Sequence, residues 1–179
     1  MKKQFIQGLL TGLTAVLVGA AVILFLLMRL GPVSGNADQR PLALEAWLLG
    51  MAVHASVARH AEERPNPMPP TKENLIAGAE IYAQMCAKCH GQQNAGPSVY
   101  GTSFYPPAPQ LMGRPPEYTE AEVFWIVKHG IRNTAMPAWG RQLYDENIWQ
   151  VVAFLKRSDA LPPVVTAEWE KRRHGAADQ

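Results

Sequence analysis

Cysteine is nearly missing from this chain, with two among 179 residues, Cys86 and Cys89. That excludes a disulfide framework, which needs several pairs at spread positions. A surplus of one charge sign is missing too. There are 17 Lys and Arg against 15 Asp and Glu, and the stretch from Lys72 to Gln179 holds eleven of each. A balanced chain without a basic stripe carries no electrostatic footprint for nucleic acid, and none is expected as a partner. Strand signals are weak throughout and no internal repeat is visible. None of the histidines suggests catalysis, and neither an enzyme activity of its own nor a small-molecule substrate is expected.

What is present is unevenly spread. From Gln4 to Met28 there are 25 residues without a charge, preceded by Lys2 and Lys3. About 20 apolar residues cross a hydrocarbon core as a helix. Arg29, Gly31 and Pro32 stop the run. Residues 1–31 are therefore expected to be a cytoplasmic tip and a single transmembrane anchor, with the two lysines holding the N-terminus inside a bacterial inner membrane. The alternative is a cleaved signal peptide, because Val33-Ser34-Gly35 and Gly35-Asn36-Ala37 offer small residues to a peptidase. An apolar region of about 7–15 residues is usual for such peptides, which favours the anchor. Either reading exports the rest of the chain to the periplasm.

Residues 32–70 read as an amphipathic helix and a linker. Between residues 41 and 61 there is no internal proline, and Leu44, Leu48, Met51 and Ala55 fall at helical spacing. This helix has three possible contacts: the membrane surface, the following domain or a partner. Its lack of clustered Lys or Arg makes headgroup binding the weakest of the three. Pro65, Pro67, Pro69 and Pro70 then form a stiff extended stretch, where a domain boundary is expected. Residues 71–163 read as one domain with three helices. The first starts at the N-cap Thr71 and runs to the cysteines. The second spans Thr119 to His129, with Glu122 completing a capping box and Gly130 stopping it. The third runs from an N-cap at Asp145 to Arg157, burying Ile148, Val151, Val152 and Leu155. Residues 164–179 read as a polar tail in which Lys171, Arg172 and Arg173 are a solvated helix end or a docking patch for an acidic partner.

Cys86-Ala87-Lys88-Cys89-His90 is a C-x-x-C-H sequence, the attachment pattern for haem c. Two thiols on one turn can each bond one vinyl group of the porphyrin, and the adjacent imidazole reaches the iron. A redox disulfide or half a zinc site also uses C-x-x-C. The chain lacks a second ligand pair for zinc and lacks the strand and helix alternation of a thioredoxin-like fold. For the opposite face of the iron the best candidate is Met136, in the loop Asn133-Thr134-Ala135-Met136-Pro137, with Met112 in reserve. Met85 is too near His90 to reach that face. His54, His60 and His129 are read as surface or packing residues, and His174 lies in the tail.

From Thr71 to Leu161 the chain resembles the class I c-type cytochromes, in their compact bacterial form with an N-terminal anchor. The resemblance rests on Cys86, Cys89, His90 and Met136, and on Gly78 and Tyr82, eight and four positions before Cys86. It implies an all-α, small cytochrome c fold around one covalent haem c, preceded here by the transmembrane helix and the extra amphipathic helix. It further implies that Gly78 admits the C-terminal helix through Phe154 and Val151, and that a loop carbonyl, with Pro97 as candidate and Pro106 and Pro107 as rivals, receives the second nitrogen of His90. Arg132 and Trp139 are its candidate propionate contacts. With His90 and Met136 as axial ligands, the expected role is electron transfer between redox protein partners in a respiratory chain. The protein would act as a tethered shuttle or as the fixed cytochrome subunit of an oxidase, reductase or dehydrogenase complex. Gas sensing or peroxidase chemistry would require Met136 to leave the iron.

Overall fold

The computed structural model describes residues 2–31, 35–92 and 95–177, with side chains to residue 171. Among these, all regular structure is helical. Pro32, the cleavage sequence at Val33-Ser34, and the side chains of Arg172, Arg173 and His174 lie outside the described residues.

Helix α1 (Lys2–Leu30) covers the whole uncharged run and buries none of its residues. It is long and apolar enough to cross a membrane, and an 18-residue stretch of it has a mean hydropathy of 2.5. Gly31, at φ 69°, ends it. A second helix, α2 (Ala43–His60), follows, with Val57 as its buried residue.

The body of the molecule is built on α3 (Lys72–Ile81) and α6 (Asp145–Leu155), which cross in close contact. Thr71 caps α3 by accepting from the Asn74 N–H. The crossing depends on Gly78. A Cβ there would overlap the Gln150 carbonyl and sit 2.9 Å from the Phe154 Cβ. Tyr82 and Phe154, both fully buried, meet at 5.6 Å between ring centres. Between α3 and the short helix α4 (Ala87–His90) the chain makes one π-helical turn, Tyr82–Cys86, in which the Ala87 N–H reaches back to the Tyr82 carbonyl. Helix α5 (Glu120–His129) carries the capping box at Thr119 and Glu122 and packs on α6, with Phe124 and Trp149 stacked at 4.1 Å.

Three features differ from the sequence reading. Asp145 is the first residue of α6, with Tyr144 at the cap, and its carboxylate pairs with Lys128 at 2.7 Å. The charge pair across two helices displaces the local cap. The polar tail expected from residue 164 on forms a helix, α7 (Pro163–Ala177), and its described side chains pack on α3. Val165 and Trp169 are buried, and Trp169 lies 5.6 Å from the Tyr82 ring and 5.8 Å from that of Phe154. Among the described side chains of this helix Val165 and Trp169 are the buried ones, so its composition stays polar. The proline stretch is also not a free linker. Asn66 donates to the Trp149 carbonyl at 3.1 Å and accepts from the Met68 N–H at 2.9 Å. The Arg64 guanidinium covers the Phe124 and Trp149 rings at 5.2 and 5.4 Å. Proline fixes an extended path that these few side chains can pin.

Candidate haem-attachment site

Cys86 ends the π-helical turn, Cys89 lies in α4, and His90 is the last residue of that helix. Both thiols are free and half-buried. Burial first, and then the neighbouring Cys89, push the Cys86 thiol up to about 12, so it stays protonated. The His90 imidazole is moved below its ordinary value by burial, which outweighs a hydrogen bond to the Pro109 carbonyl, and the ring is neutral near pH 7.

That hydrogen bond settles the tautomer. His90 Nδ1 lies 2.9 Å from the Pro109 oxygen, and a carbonyl can only accept. Nδ1 therefore carries the proton, leaving the Nε2 lone pair available to a metal. The carbonyl belongs to Pro109 rather than to Pro97, Pro106 or Pro107, the positions considered from sequence. A proline-rich loop offers several carbonyls, and the fold of residues 101–113 chooses among them. Gly101 O accepts from Ala108 N at 2.8 Å, and the His90 carbonyl accepts from Leu111 N at 3.2 Å, which lays Pro109 beside the imidazole. The loop is fastened from behind by Ser158, whose hydroxyl donates to the Leu111 carbonyl at 2.6 Å and whose own carbonyl accepts from Gly113 N at 3.2 Å. Tyr82, buried beneath, donates to both the His90 carbonyl at 3.1 Å and the Gly91 carbonyl at 2.9 Å. Its hydroxyl is held well above the usual tyrosine range, chiefly by burial.

Met136 sits in the loop between α5 and α6, half-buried against the same core as Cys86, Leu111, Met112 and Trp139. The loop leaves α5 through Gly130, at φ 69°, where a Cβ would lie 2.7 Å from the Met136 carbonyl. Asn133 also takes a positive φ, 61°, a conformation its short polar side chain tolerates. Thr134 donates to the Ile131 carbonyl at 2.8 Å and accepts from Met136 N at 3.1 Å, and Ile131 N donates to Met136 O at 3.1 Å. Trp139 opens a single 3₁₀ turn, Trp139–Arg141, and is half-buried, whereas Arg132 is exposed. The other histidines with described side chains are engaged elsewhere. His54 Nδ1 lies 2.9 Å from the Tyr118 hydroxyl, His60 Nδ1 lies 2.8 Å from the Ser56 carbonyl, and His129 rests against Trp125.

The residues fit haem c by their chemistry. Two free thiols stand one turn apart, a neutral imidazole has its second nitrogen committed, and apolar side chains surround them. A buried, unpartnered Gln110 Nε2 lies in the same loop as the Pro109 carbonyl. Sequence reasoning missed Pro109, Tyr82 as the clasp on the His90 carbonyl, and Ser158. Only Tyr82 had a signal, its place four residues before Cys86.

These features are those of a c-type cytochrome domain, the kind that holds haem c covalently, and Cys86 and Cys89 fit that attachment. Residues 73–155 match the family model described as cytochrome c oxidase, cbb3-type, subunit III. Among solved structures the chain is similar to one of the Kuenenia stuttgartiensis reducing HAO-like protein complex, with 23% identity over 56% of this chain and 52% of that one, and a TM-score of 0.41. The chain thus spans about half the length of that relative.

Proposed function

We propose that this protein is a membrane-anchored, mono-haem electron carrier that works on the periplasmic face of a bacterial inner membrane, with α1 as a single-pass anchor and the N-terminus cytoplasmic. His90 Nε2 and the Met136 thioether would hold the haem iron. Cys86 and Cys89 hold the porphyrin, and half-buried Trp139 and exposed Arg132 are the propionate donors. The observation that carries the reading is the His90 Nδ1 to Pro109 bond of 2.9 Å directly after the cysteine pair, since it leaves one nitrogen of known protonation for the iron.

Haem iron held by histidine and methionine supplies one-electron exchange at a raised potential, with no open position for a substrate. The residues of the chain orient the imidazole, keep it neutral, exclude water through Leu111, Met112 and Trp139, and hold the thioether on a braced loop. Partners are redox proteins, one donating and one accepting. The docked proline strap favours a fixed place beside a membrane partner over a wide-ranging shuttle. The family description, which names an oxidase subunit, agrees with that preference.

The test is Met136→Leu in the haem-loaded full chain. Loss of the methionine-ligated low-spin spectrum and a lowered potential are expected, with a stability change below about 1.5 kcal/mol for a volume-conserving exchange. The same variant at Met112 should leave the spectrum intact. An unchanged spectrum in the Met136 variant sinks the axial assignment.

A further inference from the structure

Helix α2 has two apolar faces, and only one is used. Gly50, Val53 and Val57 turn toward the body, where α2 meets α5. On the opposite side Leu44, Trp47, Leu48 and Met51 are 65%, 58%, 48% and 47% exposed. The stripe that the sequence singles out by its spacing is thus the outer one. From Ala46 to Ala58 there is no Asp, Glu, Lys or Arg across 13 residues. A run of this length is too short to span a bilayer; apolar runs of about 10–14 residues are core helices or interfacial segments, and the exposure of these four side chains speaks against the first.

Its position in the chain says what covers it. The Ala37 carbonyl accepts from Tyr105 N at 2.8 Å, and Arg40 Nε donates to the Tyr105 hydroxyl at 2.6 Å. The chain is therefore fastened to the body seven residues after Leu30, the last residue of α1. Fully extended, seven residues reach at most about 25 Å. From that point the strap and α2 are docked, so the body that carries α2 is held within that reach of the place where α1 leaves the membrane.

We infer that the face formed by Leu44, Trp47, Leu48 and Met51 lies in the bilayer interface and seats the haem domain on the membrane in one orientation. The occupant is lipid, at the boundary between headgroups and acyl chains. Insertion here is driven by apolar area with an indole at the boundary, not by headgroup charge, so it needs no anionic lipid. A lone helix of this kind binds weakly, but α1 makes its insertion intramolecular and raises its effective concentration. The inference rests on the reading of α1 as an anchor.

The haem-loaded full chain in zwitterionic phosphatidylcholine nanodiscs provides the test, because the two native thiols are then thioethers and an introduced cysteine is labelled alone. A fluorophore at Leu48→Cys, or at Met51→Cys as a second site, should be quenched several-fold more by doxyl-labelled lipid than by aqueous iodide. A label at Tyr144→Cys, which is 83% exposed, should show the reverse. Adding salt should change neither. Iodide quenching at positions 48 and 51, with a label at Leu17→Cys still quenched by lipid, overturns the inference and leaves the anchor standing. Iodide quenching at position 17 as well removes the anchor and the seat together. Protection of the outer face from both quenchers also overturns it, in favour of a protein partner or a second copy.

Discussion

The segment from Cys86 to His90 and the loop from Gly130 to Trp139 face one haem in the proposed assignment, yet they are held in different ways. The histidine side is fixed by residues far away in sequence. Tyr82, Pro109 and Leu111 clasp His90 and its neighbour, Ser158 locks the loop, and Gly78, Phe154 and Trp169 form the floor. The methionine side is braced by its own neighbours, with the bonds among Ile131, Thr134 and Met136 all lying within one turn. Tertiary packing opens only with the whole domain, whereas a local turn can open by itself. In that assignment the thioether of Met136 is the ligand expected to exchange and the imidazole of His90 the one expected to stay.

Three substitutions probe this difference, beginning with the largest expected loss. Trp169→Ala removes a fully buried ring from beneath Tyr82 and should destabilise the domain by about 3–5 kcal/mol, read by denaturant unfolding of the haem-loaded protein. A loss near zero would mean that α7 is a tail after all. Gly78→Ala forces a methyl group into the Gln150 backbone and should cost about 1–3 kcal/mol, measured in the same way. It should leave the methionine-ligated spectrum unchanged in the folded fraction. Thr134→Ala should cost only about 0.5–1 kcal/mol, yet it should raise the rate at which an added ligand such as imidazole displaces the thioether. If Gly78→Ala quickened that displacement and Thr134→Ala did not, the division between tertiary and local bracing would collapse.

Legibility in the sequence followed the same division. Features whose signal is local were readable: the C-x-x-C-H motif, the caps at Thr71 and Thr119, the stop at Gly130 and the charge-free run that becomes α1. The contact of Gly78 with Phe154 was legible through a spacing pattern shared with a known family. Features decided by tertiary choice were not. Four prolines offered carbonyls to His90, and nothing local distinguishes Pro109. Trp169 and Val165 are isolated apolar residues in a polar helix, too few to show a stripe. Periodicity revealed an apolar face on α2, but it cannot tell whether that face turns toward the body or away. Asp145 looked like a cap because its intended partner, Lys128, lies on another helix. The docking of the proline stretch was hidden for a related reason, since Arg64 and Asn66 act through rings and a carbonyl more than fifty residues downstream.

The single π-helical turn at Tyr82–Cys86 links the two halves of one continuous helical stretch. An ordinary α-helix advances about 100° per residue, so everything along it shares one phase. The wider turn takes in an extra residue and resets that phase between Tyr82, which faces the core, and the cysteine pair, which must face the cofactor. It works as a slipped gear: the packing end of the helix and the cofactor end keep separate angular settings. An α-helical register in its place would turn the thiols about 100° from where they stand relative to the Tyr82 ring.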